Sequence, residues 1–246
     1  MIFDTDAIRF RVMELSQDLQ GAEFRAAVVA LLREANKAGR SAIADAFELQ
    51  PFAARELARS YTYLTDGLVT TALMAANDVL HPIATPTTGE RIAVFAVGGY
   101  GRGEMAPFSD VDLLFLTPYK ITAWAESVIE SMLYILWDLR LKVGHSSRTI
   151  KDCIRLGSED FTIRTAMLEH RFLAGHGPLA TELEDRLAKD LFAKDAAEFI
   201  DAKLAERDAR HLKQGERYMV EPHVKEGKGG RRDLQSLVWI AKYLYK

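Results

Sequence analysis

The sequence predicts an α+β fold in which a small mixed sheet is preceded and followed by helical segments. Two continuous apolar runs of strand length, residues 92–97 and 111–116, indicate the sheet. On both sides of these runs, apolar residues recur every three to four positions, which is the period of an amphipathic helix. The chain has 246 residues, of which 48% are hydrophobic, and can therefore bury one large core or two small ones.

The amino-terminal part of the chain, residues 1–88, is predicted to be a helical region. Helical periodicity extends over most of it, and interruptions are expected at residues 36–41 (NKAGRS) and near Pro51. Two prolines and a glycine in residues 81–89 (HPIATPTTG) then end the helical pattern and lead to the first strand. A domain boundary is therefore expected at residue 89.

The middle of the chain, residues 89–175, is expected to form the domain that contains the sheet. Residues 124–141 are predicted to be an amphipathic helix that connects the second strand to a third, residues 142–149 (KVGHSSRT). His145 on this third strand either faces a functional site or is a satisfied polar residue. Residues 161–173 are predicted to form a further helix.

The carboxy-terminal part, residues 176–246, is predicted to be helical around a basic, glycine-rich loop. A long helical pattern ends near residue 214, and residues 226–232 (EGKGGRR), here called the second glycine loop, follow an extended stretch. This loop either binds a triphosphate or is a plain basic turn. Asp233 is expected to cap a helix that reaches the end of the chain without a stop signal, so a fragment of a longer polypeptide is predicted.

Between the two predicted strands lies GGYGRG, residues 98–103, here called the first glycine turn. Gly98 and Gly99 let the backbone approach a ligand that any Cβ would hold away. Backbone N–H groups in such a turn, at the start of a short helix, attract phosphate. Arg102 and Ser109 are further candidates for nucleotide contacts, although Ser109 either donates to a phosphate or merely ends the loop.

An Asp-Val-Asp triplet begins the second strand. Residues i and i+2 of a strand point to the same face, so Asp110 and Asp112 project together while Val111 turns into the core. Two carboxylates that close repel each other and are more stable around Mg²⁺. In a site with two ions ~3.5–4 Å apart, one activates the attacking oxygen and the other stabilises the leaving pyrophosphate. Both carboxylates are therefore predicted to be catalytic and to bind metal.

Composition and charge narrow the classes of partner. No apolar stretch approaches the ~20 residues of a membrane span, and the amino terminus is too charged for a signal peptide, so a cytoplasmic location is expected. The single Cys153 excludes an internal disulfide. The last 46 residues hold eleven basic and seven acidic residues, a net +4, whereas the first 200 carry −7. This distribution favours a phosphorylated small molecule over a nucleic acid.

The order of strand, Gly-Gly turn, about ten residues and Asp-x-Asp resembles the polymerase-β-type nucleotidyltransferases. That resemblance implies a polymerase-β-like nucleotidyltransferase core. The fold commonly supplies a third carboxylate from the third strand, and KVGHSSRT contains none. Asp138, Asp160 and Glu169 offer no obvious substitute from the sequence alone.

Longer stretches resemble the bifunctional protein-PII uridylyltransferase family. These are AVGGYGRGEMAPFSDVDLLFL, the VGHSSRT strand, MLEHRFLAG and EPHVKEGKGGRRDLQSLVWIAKYLY. The resemblance implies transfer of UMP from UTP to a tyrosine hydroxyl of the PII protein, with Mg²⁺ and release of pyrophosphate. It also places Lys225, Glu226 and Arg232 in the family's second signature loop, where Lys225 and Arg232 would bind nucleotide. Arg231 departs from the aliphatic residue that is usual there.

Two alternatives to this activity remain open at the level of sequence. The first is a nucleotidyltransferase of the same fold that acts on a small molecule or an RNA end. The second is a nucleotide-binding or partner-docking module without turnover. The metal hydrolase and the regulatory domains that the family carries downstream are expected to be absent from this chain, because none of its six histidines is followed by Asp.

Overall fold

A computed structural model describes residues 2–193, 196–213, 221 and 223–245. The predicted helix end near residue 214, and residues 218–220 and 222 of the predicted extended stretch 218–225, lie outside the described residues. The chain divides into two compact units. The first comprises the residues up to 151 together with 169–182, and the second comprises 152–168 and the residues from 183 onward. The domain boundaries expected at residues 89 and 175 stay predictions.

The first unit contains a four-stranded mixed sheet with the strand order β3-β2-β1-β4. Strand β1 (Ala93–Ala96) is antiparallel to both β2 (Val111–Thr117) and β4 (Arg171–Gly175). Strand β3 (Val143–Thr149) is parallel to β2, as expected for two strands joined by a helical crossover. The predicted α+β fold with a small mixed sheet is therefore confirmed.

Helices cover the face of this sheet that presents Val94, Leu113 and Phe115, which belong to one apolar core with residues of the helices. The periodic apolar residues of the amino-terminal region form the other half of that core, as their 3.6-residue spacing predicts. The helices of the first unit are α1 (Thr5–Asp18), α2 (Gly21–Leu49), α3 (Ala54–Met74), a π-helical turn (Ala75–Leu80), α4 (Gly98–Gly101) and α5 (Ala123–Asp138).

The predicted interruption at residues 36–41 is wrong, because α2 runs through this stretch without a break. A Cβ on Gly39 would lie 2.6 Å from the carbonyl oxygen of Ile2 and 2.7 Å from a methyl group of Leu64. The glycine thus allows close packing of the helix rather than ending it. The break near Pro51 is confirmed, since α2 ends at Leu49.

The remaining helices lie wholly or partly in the second unit. Its core includes Phe199, whose ring stacks on Tyr243 with the centroids 4.3 Å apart. Buried Leu187 and Leu191 add apolar area to the same unit. These helices are α6 (Ile150–Glu159), α7 (Phe161–Leu168), α8 (Gly177–Arg186), a π-helical turn (Leu187–Phe192), α9 (Ala196–Lys213) and α10 (Arg231–Leu244).

Two further local predictions are corrected. The helix expected over residues 161–173 ends at Leu168, and the residues that follow form β4 because they pair with the free edge of β1. Asp233 does not cap the last helix, which begins two residues earlier, after Gly230. Within the described ranges, no helix is both long enough and apolar enough to cross a membrane.

Candidate active site

The first glycine turn lies at the carboxyl end of β1. Val97 is extended, and Gly98 then takes a φ of +59°, which an L side chain rarely adopts. The N–H of Gly101 donates to the carbonyl of Val97 at 3.0 Å and closes the one turn of α4. Helical geometry leaves the N–H groups that precede Gly101, those of Gly98 and Gly99 among them, without a partner inside the helix. These donors suit an anion.

Gly101 fixes the position of this turn by direct backbone contact. A Cβ at Gly101 would lie only 1.9 Å from the carbonyl oxygen of Glu169 and 2.9 Å from that of Ala96. No side chain fits in that space, so the turn lies directly on the backbone segment that leads into β4. Glycine is therefore required here by close approach rather than by a left-handed conformation.

Tyr100 belongs to the first glycine turn and is buried against neighbouring elements of the fold. The guanidinium of Arg171 lies over its ring, 5.5 Å from the centroid, and donates two hydrogen bonds of 2.9 Å to Asp66 on α3. Burial, together with the negative charge of Asp66, raises the pKa of Tyr100 well above its usual value. The phenol is thus neutral, and the network ties the turn to both α3 and β4.

The carboxylate pair lies beside the turn. Asp110 is exposed just before β2, and Asp112 is half-buried as the second residue of that strand, with buried Val111 between them. Burial, and then the nearby charge of Asp110, raises the pKa of Asp112. A Cβ on Gly98 would lie 3.5 Å from Asp112 Oδ2, so the structure brings the glycine turn and this carboxylate together.

The third strand presents no acid on the face of Asp112, where its residues are Gly144, Ser146 and Arg148. Gly144 pairs with Asp112 in the parallel register, and a Cβ on Gly144 would lie 2.5 Å from Asp112 Oδ1. Among the residues that the structure describes, no three His, Cys, Asp or Glu side chains are grouped so that they could hold a metal ion. The third carboxylate that the fold commonly supplies therefore has no counterpart in these residues.

His145 lies on the opposite face of the sheet from Asp112. Its ring packs edge-on against Phe115 and Trp137, each at a centroid distance of 6.3 Å. It therefore lies on the helix-covered side of the sheet and does not face Asp112. The alternation of strand side chains instead places Ser146 and Arg148 on the face of Asp112. The period of two in KVGHSSRT is the sequence signal that indicates these two residues.

Arg102 lies beside the first glycine turn and is paired with acids. Its Nη1 contacts Glu169 at 2.5 Å and its Nε contacts Glu104 at 3.2 Å. Nη2 lies 3.6 Å from where a Cβ of Gly99 would be. The Glu169 side chain is only 2% exposed. Glu169, to which the sequence alone assigned no role, is therefore the buried partner of Arg102.

Ser109 closes the loop before the Asp-Val-Asp triplet. Its hydroxyl oxygen accepts the N–H of Ala106 at 2.8 Å, and its own N–H donates to the carbonyl of Ala106 at 3.1 Å. Ser109 thus ends the loop, as one of its two interpretations held. The hydroxyl proton is still available as a donor.

Lys225 and Arg232 belong to the second unit. Lys225 is exposed, and its carbonyl accepts the N–H of Arg232 at 3.0 Å. Arg232 is held by Glu226 at 3.5 Å and by a hydrogen bond of 3.1 Å to Gln235. The second glycine loop is therefore ordered by its own backbone and charges.

Asp233 organises the same loop from its far end. Its carboxylate accepts the N–H of Gly229 at 2.7 Å, contacts His211 at 3.0 Å and forms an ion pair with Arg210. Burial alone would raise the pKa of Asp233, but these hydrogen bonds outweigh it and lower the pKa. Arg210 and His211 could not be identified from the local sequence, because both come from helix α9, more than 20 residues before Asp233.

The first glycine turn and the two carboxylates beside it indicate the class of protein. A glycine turn at the end of one strand, next to a carboxylate pair on the neighbouring strand, is the site of a nucleotidyltransferase. The family model for the nucleotidyltransferase domain matches residues 86–173, and this part of the chain is such a domain. Enzymes with this domain generally use divalent metal ions together with a nucleoside triphosphate.

The particular relatives are uridylyltransferases. Residues 198–246 match the family described as GlnD PII-uridylyltransferase. All 246 residues align at 72% identity with a bifunctional uridylyltransferase/uridylyl-removing enzyme of Ruegeria pomeroyi. Enzymes of the same name from Cereibacter sphaeroides and Azospirillum brasilense are 62% and 48% identical over 99% and 95% of the chain. The predicted family resemblance is confirmed, and the chain spans 26–27% of the length of these relatives.

Proposed function

We propose that this chain carries the uridylyltransferase activity: it transfers UMP from UTP to a tyrosine hydroxyl of the PII signalling protein and releases pyrophosphate. The observation that carries the proposal is the position of Asp112 beside Gly98, which sets a carboxylate pair next to backbone donors. The names of the relatives support uridine and PII as the substrates. A small nucleotide and a protein acceptor also agree with the mostly acidic chain.

Asp110 and Asp112 suit Mg²⁺ chemically. Both are hard oxygen donors, and burial together with the neighbouring charge of Asp110 raises the pKa of Asp112, so a bound cation would stabilise the ionised pair. Mg²⁺ is commonly held by one or two carboxylates, with substrate phosphates and water completing the shell, so two acids suffice. When bound, the ion would polarise the phosphoryl oxygens and stabilise charge on the leaving pyrophosphate.

The other proposed contacts are with the triphosphate. The N–H groups of Gly98 and Gly99 donate to phosphate oxygens, and the guanidinium of Arg102, held by Glu169, adds a fixed positive charge. Ser109 offers its remaining hydroxyl proton. These groups bind and orient the nucleotide, which leaves the α-phosphorus open to the tyrosine oxygen.

In the second unit, Lys225 and Arg232 are proposed to contact the nucleotide as well. The support is the exposure of Lys225 and the ordered backbone that fixes both residues in one loop. Because the proposed substrates are UTP and PII, we place the proposed reaction in the cytoplasm. It requires no nucleic-acid partner.

The test measures transfer of label from α-labelled UTP to purified PII in the presence of Mg²⁺. We expect Asp110→Asn and Asp112→Asn each to lower the rate by at least ~10²-fold, the scale on which loss of a preorganised charge contact slows an enzyme. Asp138→Asn, at an exposed helix-end acid outside the site, is the matched control and should retain the rate. Full activity of Asp110→Asn would contradict the proposal.

A second candidate function rests on the absence of a third acid from the described part of the chain. A two-carboxylate site also suits a module that binds nucleotide without turnover. Calorimetry that shows UTP binding, together with no pyrophosphate release in the presence of PII, would favour this module. Label transfer to a small molecule or an RNA end, but not to PII, would favour another acceptor.

A further inference from the structure

A cavity of about 660 Å³ lies in the first unit, at the other end of the sheet from the carboxylate pair. It is bordered by Ile92, just before β1, and by Gly175 at the end of β4. The glycine turn begins six residues after Ile92 along the same strand. At about 3.3 Å per residue, the two ends are roughly 20 Å apart, so the cavity is separate from the nucleotide site.

The walls of the cavity are largely apolar. Small-molecule sites commonly have volumes of ~300–1,000 Å³ and apolar linings, and this cavity falls in that range. Trp124 is oriented by a hydrogen bond of 2.9 Å from its Nε1 to the carbonyl of His81, so a flat indole surface is fixed in the wall. Other apolar residues of the wall are Leu73, Met74 and Ile83.

Two arginines, Arg9 and Arg91, also line the cavity. In the described part of the chain, neither guanidinium forms an ion pair or a hydrogen bond, and the Nε of Arg9 is buried without an acceptor. A buried donor that lacks a partner destabilises the fold, and an acceptor supplied by a ligand would remove that cost.

The acids of the cavity are already engaged in local contacts. Glu90 accepts the N–H of Thr87 at 3.0 Å, and Asp78 accepts the side-chain amide of Asn77 at 2.5 Å. Neither acid forms an ion pair with the two arginines. Among the described residues, the cavity therefore provides no negatively charged partner for Arg9 and Arg91.

His176 provides one further donor at the cavity. Its Nδ1 accepts the N–H of Leu179 at 3.1 Å, so in the neutral ring the proton is on Nε2. Burial, and then the positive charge of Arg91, lowers the pKa of His176, which keeps the ring neutral at physiological pH.

We propose that this cavity binds a small organic anion, with a flat apolar body against Trp124 and a carboxylate or phosphate ester group at Arg9 and Arg91. The ligand would occupy a site of its own, separate from the Gly98 and Asp112 region. The proposal does not depend on the uridylyltransferase activity, because it concerns binding alone.

The first test is calorimetric titration of the 246-residue chain with 2-naphthoate, 2-naphthyl phosphate and the neutral 2-naphthylmethanol. We expect at least one anion to bind tenfold or more tightly than the neutral compound, and the tighter anion identifies the acid group. In Arg9→Gln/Arg91→Gln that preference should fall at least tenfold. Arg11→Gln, on the same helix but 65% exposed and paired with Glu14, should behave as the unmodified chain.

A second measurement locates the probe without relying on a variant. The indole N–H signal of Trp124 should shift on titration with the anion, whereas that of Trp239 in the second unit should not. Asp110→Asn should bind the anion unchanged, because the nucleotide site lies elsewhere. Equal binding of anion and neutral compound, or an unmoved Trp124 signal in the unmodified chain, would overturn the proposal even if the double variant fails to fold.

Discussion

The two glycine-rich segments look alike in sequence, but different forces hold them. In the first glycine turn, Gly101 rests on the carbonyl of Glu169 with no space for a Cβ. In the second glycine loop, Asp233 binds the loop backbone at Gly229 and is paired with Arg210. The first segment is therefore fixed by close contact with the backbone of another segment, whereas the second is fixed by hydrogen bonds within the loop and by the charges around Asp233.

This difference shows why composition alone is a poor guide to phosphate loops. The first glycine turn is rigid because buried neighbours contact its main chain, and Asp112 adjoins it. In the second glycine loop, Glu226 forms an ion pair with Arg232 and also lies near Arg210 of α9. Two segments of similar composition are thus ordered by different contacts.

The largest expected effect is at the buried pair of the first glycine turn. Arg102→Gln leaves Glu169 buried without its cation, so we expect the free energy of unfolding to fall by about 3–5 kcal/mol. Urea denaturation measures this free energy of unfolding. Glu104→Gln removes the exposed partner of the same arginine and should cost less than about 1 kcal/mol. Equal losses in the free energy of unfolding for the two variants would show that the buried ion pair contributes no more stability than the exposed one.

The glycines themselves give the next comparison. Gly101→Ala forces a methyl group into the Glu169 carbonyl and should destabilise the chain by about 3 kcal/mol. The methyl group of Gly229→Ala would have space, but the alanine would have to adopt a φ of +76°. We therefore expect a loss of about 1–2 kcal/mol in the free energy of unfolding. Urea denaturation curves of both variants check this order, which would fail if Gly229→Ala cost more.

Asp233 supplies a test that depends on pH. Asp233→Asn weakens the contacts to Gly229 and Arg210, and we expect a loss of about 1–2 kcal/mol at pH 7. Because the folded-state pKa is lowered, this contribution is complete above the ordinary aspartate pKa and is lost as the pH falls through the lowered value. Unfolding measured at pH 7 and at successively lower pH should therefore show the difference shrinking only on the acidic side.

The smallest effect is expected at Asp112 and has the opposite sign. Its folded-state pKa is raised, so the stabilising protonated form is lost as the pH rises through that value. In metal-free buffer at pH 7, Asp112→Asn should therefore raise the Tm, by about 1–2 °C because the half-buried carboxylate is still solvated. The gain should vanish below the ordinary aspartate pKa. A lower Tm at pH 7 would show that the carboxylate pair is not repulsive.

Sequence was sufficient for features that depend on neighbours along the chain. Strand-length apolar runs located β1 and β2, and the i, i+2 alternation placed Asp110 and Asp112 together. Sequence failed where a distant element decides the outcome. Gly39 was interpreted as a break because its close contact with Leu64 cannot be seen locally, and the residues of β4 were assigned to a helix because their partner strand is far away.

The sequence by itself thus determined three of the four strands, most of the helical surroundings, the motif and the family, since each depends on residue order and short-range geometry. Only the tertiary structure decided that Glu169 is the partner of Arg102, that Gly144 pairs with Asp112, and that His145 faces away from Asp112. The physical reason is that burial and close approach are properties of segments that meet across the fold. Residues 67 positions apart, such as Arg102 and Glu169, form an ion pair only because β4 folds back beside β1.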